Sequence, residues 1–334
     1  MSRPLRVAVV GVGHLGRHHA RILREIEGVE LVAVVDAREE RAREIAGPLG
    51  VPALLRAEDL PADLDAVTVA VPTAAHVETA LPFLRRGVAT LVEKPIAPST
   101  GEADRLLAAA AEGGALLSVG HVERYNPAIA AIRDLAVAPR FIEAHRLAPF
   151  SFRSTDVGVV LDLMIHDLDL VLEIVRDEIA SIDAVGVSVL TDREDLVSAR
   201  IRFRGGCVAN LTASRVSLTP MRRVRLFSPD SYASLDFSKG YSLVVRKGPN
   251  WEEARERMKE VDPAAGGSAL DLLGDGGVTV REMKVEETEP LREELKAFVA
   301  AVRGEEGAPA SGEDGRRALA AAEQILAALE VERW

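Results

Sequence analysis

The chain has 334 residues, and at ~150 residues per domain this length predicts about two domains. Apolar residues make up 48% and charged residues 28%, which excludes general disorder and predicts buried cores. The net charge of -11 disfavours nucleic acid as the main partner, because a uniformly acidic surface repels phosphate backbones. The single cysteine, Cys207, excludes an internal disulfide and a cysteine-cluster metal site.

Export and membrane signals are not found in the sequence. The early apolar run Val7–Gly13 is too short and wrongly flanked for a signal peptide. No segment reaches ~18 uninterrupted apolar residues, so no transmembrane helix is predicted. We therefore expect a cytoplasmic protein without a membrane partner.

The first 121 residues alternate between strand and helix patterns. Strands are predicted at Leu5–Val10, Leu31–Val35, Ala66–Val71, Val88–Val92 and Ala115–Gly120. Helices are predicted at His14–Glu27, Arg38–Ala46, Thr73–Arg86 and Ser99–Glu112. Apolar strands that alternate with helices predict an α/β domain built on a parallel, doubly wound sheet.

The pattern changes after residue 121, which places the domain boundary near residues 120–125. Helices are predicted at Tyr125–Asp134, Val157–Val175, Leu291–Arg303 and Gly312–Glu330. Arg140–Leu147 alternates as a half-buried strand does, and longer strands with hairpin signals fill residues 179–246. Trp251–Gly277 is interpreted as a surface excursion. Domain 1–121 is thus followed by an α+β domain, 122–334, with an open, mainly antiparallel sheet.

A glycine-rich loop follows the first strand and opens the first helix. Gly11, Gly13 and Gly16 form G-x-G-x-x-G, and Asp36 ends the next strand 20 residues later. This arrangement is typical of a Rossmann dinucleotide-binding domain, whose helix N-terminus binds the pyrophosphate. The carboxylate of Asp36 can accept hydrogen bonds from ribose hydroxyls and would repel a 2′-phosphate. NAD is therefore favoured over NADP, although the nearby Arg38 leaves room for NADP.

Lys94 is unusual in this composition. The chain has 35 arginines and 6 lysines, and Lys94 is the only lysine within residues 1–238. It lies just after a predicted strand, at the edge where open α/β sheets bind ligands. A lysine can titrate when its surroundings favour the neutral amine, whereas an arginine effectively cannot. We predict that Lys94 transfers a proton or orients substrate; the alternative is a solvated lysine in a turn.

Several polar residues interrupt the apolar helix predicted at Val157–Val175. Asp162, His166, Asp169 and Glu173 share one helical face. Asp162 and His166 can converge on one substrate hydroxyl, and histidine suits general acid–base work. The alternative is a structural helix end paired with arginines. A metal pair lacks a convincing third ligand, so no metal is predicted.

Histidines also cluster on the first helix. His14 lies inside the glycine-rich loop and is a candidate for contact with the cofactor. His18 and His19 are expected to pack or to meet solvent, without a chemical role.

Together these features resemble the Gfo/Idh/MocA family of sugar and cyclitol oxidoreductases over nearly the whole chain. The resemblance rests on Gly11-Val12-Gly13-His14-Leu15-Gly16, Val71-Pro72-Thr73 with His76, Glu93-Lys94-Pro95, and Asp162-x-x-x-His166. It implies an NAD(P)-binding Rossmann domain and a second domain that binds substrate and forms oligomers through its open sheet. A homodimer or homotetramer is therefore expected.

The resemblance also implies roles for individual residues. Lys94 would contact both nicotinamide and the substrate hydroxyl, while Asp162 and His166 would assist proton transfer. The remaining cofactor contacts implied or predicted in this region are His14, Leu15, Val71, Pro72, Thr73, His76 and Glu93.

A narrower similarity concerns the substrate. Residues 119–127, 145–150 and 153–157 are similar to bacterial dehydrogenases that oxidise C3 of UDP-N-acetylglucosamine, before an aminotransferase, in 2,3-diamino sugar and lipid A synthesis. Arg124, Arg146 and Arg153 are candidates for sugar and diphosphate contacts, with surface salt bridges as the alternative. Tyr125 and Asn126 are further substrate-binding candidates. Two functional alternatives remain: a dehydrogenase of a free sugar or inositol, and a non-catalytic NAD(P)-sensing regulator.

Overall fold

Strands and helices alternate along the first part of the chain in the computed structural model, which describes residues 3–133, 138–151, 157–259, 276–284, 288–305 and 310–333. The strands here are β1 (Leu5–Val10), β2 (Val29–Val35), β3 (Ala53–Leu54), β4 (Ala66–Val69), β5 (Ala89–Glu93) and β6 (Leu117–Gly120). The helices are α1 (Gly16–Glu25), α2 (Glu39–Leu49), α3 (His76–Arg85) and α4 (Thr100–Gly113). All six strands are parallel in the order β3-β2-β1-β4-β5-β6, which confirms the predicted doubly wound sheet.

Apolar side chains fill both faces of this sheet. Along β1, Val7 and Val9 belong to one core, whereas Ala8 and Val10 belong to the other. This alternation is expected when helices cover both faces of a parallel sheet. Phe298, which is fully buried, lies in the same core as Val7 and Val9, so a helix from the end of the chain completes this layer.

The chain forms two compact units, and each unit is assembled from three separate segments of the chain. The first contains Met1–Tyr125, Val160–Glu173 and Thr288–Ala327, and the second contains Asn126–Val159, Ile174–Glu287 and Ala328–Trp334. The chain first passes from one unit to the other after Tyr125, close to the predicted boundary at 121/122. A division into 1–121 and 122–334 does not include the two later segments that belong to the first unit. These segments carry the helices α6 (Ile165–Val175), α8 (Pro290–Val302) and α9 (Gly312–Ala328).

The second unit is built on a nine-stranded sheet. After helix α5 (Pro127–Arg133), its strands are β7 (Phe141–Leu147), β8 (Ile179–Ser188), β9 (Leu196–Phe203), β10 (Val208–Ser214), β11 (Met221–Phe227), β12 (Ser231–Asp236), β13 (Tyr241–Lys247), β14 (Val278–Lys284) and β15 (Leu329–Arg333). Their order is β14-β13-β12-β11-β7-β10-β9-β8-β15. Only β7 with β10 and β8 with β15 pair in parallel, so the predicted mainly antiparallel sheet is confirmed.

Several details differ from the predicted elements. The helix expected from Val157 begins instead with a π-helical turn at Val160–Met164, and regular α-helix starts only at Ile165. The last helix ends at Ala328, and the next residues form β15, because they find a parallel partner in β8. Helix α7 (Trp251–Lys259) begins the predicted surface excursion, of which residues 260–275 lie outside the described part. Within the described ranges, no helix has both the length and the apolar character needed to cross a bilayer.

Candidate active site

The glycine-rich loop joins β1 to α1, and its three glycines meet different constraints. Gly11 has a φ of 85°, and a Cβ there would lie 2.6 Å from the backbone nitrogen of Val71. A Cβ on Gly16 would lie 1.8 Å from the carbonyl oxygen of Gly11. At Gly13, by contrast, a Cβ would meet no described atom within 4 Å. The fold itself therefore needs Gly11 and Gly16, while Gly13 leaves open space beside the backbone, which fits a pyrophosphate.

The N-terminus of α1 is also suited to an anion. Its first turn holds no acidic residue, and the residue at the cap position, Leu15, offers no polar side chain to the first N–H groups. The N–H groups of the first turn and the helix dipole therefore favour a phosphate at this end. Leu15 is 41% exposed, and the ring of His14 lies 6.0 Å from that of His18 in a T-shaped contact. His14 and Leu15, two residues predicted to contact the cofactor, thus lie on the glycine-rich loop.

The carboxylate of Asp36, at the end of β2, is tied to the glycine-rich loop. It accepts hydrogen bonds from the backbone nitrogens of Val12, at 3.2 Å, and Arg38, at 3.0 Å. The Arg38 side chain is exposed and lies 3.6 Å from the same carboxylate. Arg41 donates to the carbonyl oxygens of Val12, at 2.7 Å, and Gly13, at 2.9 Å. Arg41 therefore fastens the loop to α2, a role that the sequence motifs did not indicate.

His76 connects two segments at the carboxyl edge of the sheet. Its ring nitrogens lie 2.9 Å from the carbonyl oxygen of Val71 and 3.0 Å from that of Pro95. Burial lowers the pKa of His76 more than these backbone contacts raise it, so the ring favours its neutral form. The candidates Pro72 and Thr73 lie between Val71 and His76 and lead into α3. His76 thus braces the segment after β4 against the one that follows Lys94.

Glu93 is buried at the end of β5. One carboxylate oxygen lies 2.9 Å from Nε2 of His19, and the other accepts a hydrogen bond from the backbone nitrogen of Lys94 at 3.2 Å. Burial raises the pKa of Glu93, but the hydrogen bond and charge of His19, together with Lys94, outweigh burial and leave it below its usual value. A Cβ on Gly120 would approach this carboxylate to 2.9 Å. His19 is fully buried, as the packing alternative expects, and its ring in addition pairs with Glu93.

Lys94 and Asp162 are in direct contact. The Nζ of Lys94 donates to the backbone carbonyl oxygen of Asp162 at 2.7 Å and to its carboxylate at 3.2 Å. Asp162 lies in the π-helical turn, a type of turn that leaves carbonyl groups without their usual α-helical partners. The Lys94 side chain is only 14% exposed, which excludes the freely solvated lysine considered above. His166 follows in the first turn of α6 and is half-buried.

Arg124 lies in a network of carboxylates. It donates two hydrogen bonds to Asp169, at 2.6 and 2.7 Å, and its guanidinium is 3.3 Å from Asp314 and 3.7 Å from Glu173. Burial lowers the pKa of Arg124, but the bond to Asp169 and the three negative charges raise it above its usual value. Arg124 therefore lies in a mostly buried ion-pair network, not in the surface salt bridge considered above, and Asp169 and Glu173 belong to this network.

Removing the Arg124 guanidinium is expected to destabilise the protein strongly. Arg124→Leu would leave the buried Asp169 carboxylate without its bidentate partner, which we expect to cost about 3–5 kcal/mol of unfolding free energy. As a control, Arg105→Leu removes an exposed ion pair with Glu78 and should cost under ~1 kcal/mol. Denaturant unfolding of both variants measures the difference, and equal losses would contradict the buried network.

The remaining substrate candidates are divided between the units. Tyr125 ends the first unit, whereas Asn126 begins the second and accepts a hydrogen bond from the backbone nitrogen of Ala128 at 3.1 Å. Arg146 is buried on β7 in the second unit. Arg153 lies outside the described residues.

Two buried residues, Glu294 and His121, were given no role of their own from the sequence, although a signal for Glu294 was present. Glu294 lies on α8 beside Leu295 and four residues before Phe298, so helical periodicity places it on the apolar face. A charged residue on such a face is a recognisable signal. His121 lies at the end of the described Rossmann strands and is 1% exposed, but its isolated position gave no comparable pattern.

Comparison with known proteins agrees with this geometry. Residues 5–121 match the oxidoreductase family with an NAD-binding Rossmann fold, and residues 139–229 match the GFO/IDH/MocA C-terminal domain. A UDP-N-acetylglucosamine 3-dehydrogenase of Acidithiobacillus ferrooxidans is 38% identical over 98% of this chain and 97% of its own. A solved structure of that name from the same organism has a TM-score of 0.86 at 37% identity, covering 98% of both chains. A myo-inositol 2-dehydrogenase of Thermotoga maritima is 25% identical over 98% of this chain and 97% of its own.

These matches cover parts of both units. The resemblance in the sequence motifs is confirmed. The chain belongs to the Gfo/Idh/MocA family of oxidoreductases, and its N-terminal sheet is the family's NAD-binding Rossmann fold.

Proposed function

We propose that this oxidoreductase uses NAD to oxidise a ring hydroxyl of a nucleotide sugar to a ketone, with C3 of UDP-N-acetylglucosamine as the first candidate. The observation that carries the proposal is the 38% identity to a UDP-N-acetylglucosamine 3-dehydrogenase over 98% of the chain. The partly buried ion pair of Lys94 with Asp162, beside the carboxyl ends of the parallel strands, supports it by supplying groups that can hold a hydroxyl proton.

In this proposal the glycine-rich loop and the N-terminus of α1 hold the pyrophosphate, and Asp36 binds the adenosine ribose. A bound nicotinamide supplies a hydride acceptor for the carbinol carbon. The oxidation removes a hydride, which is the hydrogen of the C–H bond with its electron pair, while the hydroxyl proton passes to His166, or to Lys94 as its neutral amine, when the C=O bond forms. Asp162 orients the Nζ of Lys94 through the two contacts at 2.7 and 3.2 Å.

The cofactor-lining roles of His14, Leu15 and Thr73 and the role of His166 in proton transfer belong to the same proposal. So does substrate binding by Tyr125, Asn126, Arg146 and Arg153. Arg146 is buried on β7, and a guanidinium can bind a diphosphate through two hydrogen bonds. We further propose a cytoplasmic homo-oligomer whose 3-keto product serves amino-sugar formation for lipid A.

A dehydrogenase of an inositol is the second candidate, favoured by the 25% identity to a myo-inositol 2-dehydrogenase over nearly the full length. It would use the same Lys94, Asp162 and His166, since the chemistry at the hydroxyl is unchanged. The two candidates differ only in the groups that surround the reacting ring.

The initial rate of NADH formation tests the proposal directly. UDP-N-acetylglucosamine, free N-acetylglucosamine and myo-inositol are each offered with NAD and then with NADP. We expect turnover with the UDP-sugar and a higher kcat/KM with NAD, because the Asp36 carboxylate repels a 2′-phosphate. Turnover of myo-inositol but not of the UDP-sugar would replace the first candidate with the second.

A further inference from the structure

Five buried titratable side chains lie on elements around the end of β5, and we call them the buried acid cluster. They are His19 on α1, Glu93 on β5, His121 after β6, Asp169 on α6 and Glu294 on α8. Each is at most 7% exposed, and each interacts electrostatically with at least one other member. The protonation state of each member therefore affects the protonation of the members with which it interacts.

Two of its three carboxyl groups have cationic or hydrogen-bonding partners. Glu93 is bonded to His19 at 2.9 Å and to the Lys94 backbone nitrogen at 3.2 Å. Asp169 is bonded to Arg124 at 2.6 and 2.7 Å and lies 3.8 Å from Nε2 of His121. Both can therefore remain ionised in the protein interior.

Glu294 differs from both. It is 0% exposed, and within the described residues neither of its carboxyl oxygens has a hydrogen-bond partner. The neighbouring charges that act on it, Glu93 and Asp169, are both negative. Burial and these two carboxylates raise the pKa of Glu294 well above its usual value. An ionised carboxylate in this position would be buried, unpaired and repelled, which is among the least favourable states of a side chain.

Other charged groups on the elements packed against α8 do not offset the two negative charges that act on Glu294. On α1 these groups are half-buried or exposed, namely Arg17, His18, Arg21, Arg24 and Glu25. On the turn after β6 they are Glu123 and Arg124, and Arg124 is already bonded to Asp169. Arg21 pairs with Glu289, and Arg292 pairs with Glu25.

We propose that Glu294 is held as a neutral carboxylic acid in the folded protein and acts as a positioning residue, keeping one negative charge out of the region behind Lys94. Glu93 connects this region to Lys94, because its carboxylate accepts the Lys94 backbone N–H. A further negative charge beside Glu93 would hold a proton more tightly on the Lys94 ammonium and so oppose its use as a base. The kinetic part of this inference rests on the proposed function, whereas the protonation state does not.

Infrared spectroscopy of the wild-type protein tests the protonation state without any variant. At about pH 7 ordinary aspartates and glutamates are ionised, so a protonated carboxylic acid gives a separate C=O band. We expect that band in the wild type and its loss in Glu294→Gln, while Glu293→Gln, an exposed neighbour on the same helix, keeps it. Absence of the band in the wild type overturns the proposal, even if Glu294→Gln does not fold.

The pH dependence of unfolding provides a second test. In the unfolded chain Glu294 loses its proton at about pH 4.3, whereas in the folded protein it keeps the proton. This group therefore lowers the stability of the wild type as the pH rises. Gln carries no such proton. The unfolding constant of the wild type, divided by that of Glu294→Gln, should therefore rise at least about tenfold between about pH 5 and about pH 8. Glu294→Met serves as a second neutral variant, and a ratio that stays level or falls overturns the proposal.

The pH profile of kcat/KM tests the positioning role, which a merely structural residue would not affect. Ionisation of Glu294 should contribute to the alkaline loss of wild-type activity, and Glu294→Gln should move that loss about one pH unit higher, while Glu293→Gln should not. An unchanged alkaline limb overturns the link to Lys94. If no sugar is oxidised at all, the proposed function fails, but the infrared and unfolding results still decide the protonation state of Glu294.

Discussion

Lys94→Arg is expected to lower kcat/KM for NADH formation by about 10²–10⁴-fold. The variant keeps a positive charge beside Asp162 but loses the amine that can take part in proton transfer, a role that an arginine effectively cannot fill. The planar guanidinium also cannot reproduce the two contacts that one ammonium nitrogen makes with the carbonyl and the carboxylate of Asp162. Initial rates with saturating NAD measure the loss.

Two measurements separate chemistry from folding in this test. Lys296→Arg changes an exposed lysine on α8 that pairs with Glu293, so its rate should match the wild type. Denaturant unfolding should show that Lys94→Arg stays folded under the assay conditions. If the folded variant kept wild-type kcat/KM, neither proton transfer nor orientation by Lys94 would be tenable.

Alanine at Gly13 and at Gly16 is expected to have opposite consequences. At Gly13 a Cβ meets open space, so Gly13→Ala should change the unfolding free energy by less than ~0.5 kcal/mol. The same methyl group would occupy the space left for the pyrophosphate, and we expect the Kd for NAD to rise about 10- to 100-fold. At Gly16 the Cβ would lie 1.8 Å from the Gly11 carbonyl oxygen, so the fold itself must shift.

The helix preference of alanine does not rescue Gly16→Ala. Alanine favours a helix over glycine by about 1 kcal/mol, but a backbone clash of this kind typically costs about 1–3 kcal/mol or more. Net destabilisation is therefore expected, together with weaker NAD binding. Denaturant unfolding and titration with NAD, applied to both variants, distinguish the two roles. A Gly13→Ala protein that is destabilised but binds NAD normally would reverse our assignment.

Much of the cofactor site was predictable because its signals are local. The G-x-G-x-x-G loop, the strand before it and Asp36 lie within about one βαβ unit, where strand and helix periodicity set the spacing. The two-residue strand β3 was not predicted, since so short an element has no periodicity to detect. Lys94 stood out by composition, because it is the only lysine in residues 1–238.

The polar residues Asp162, His166, Asp169 and Glu173 could be interpreted only in part from the sequence. They were placed on one α-helical face, yet the helix begins with a π-helical turn that directs the Asp162 carbonyl to Lys94. Asp169 and Glu173 form ion pairs with Arg124. Residue spacing alone cannot distinguish a carboxylate that meets a ligand from one that meets an arginine 45 residues away in the chain.

The sequence by itself determined the two fold classes, the dinucleotide loop and the family, and it singled out Lys94 as a candidate, because each of these depends on local pattern or on composition. Only the tertiary structure decided that residues 160–173 and 288–327 return to the Rossmann unit. That return brings Asp162 to Lys94 and buries Glu294 near Glu93 and Asp169. Contacts between segments so distant in the chain arise from packing and charge balance in three dimensions, for which a linear pattern carries no signal.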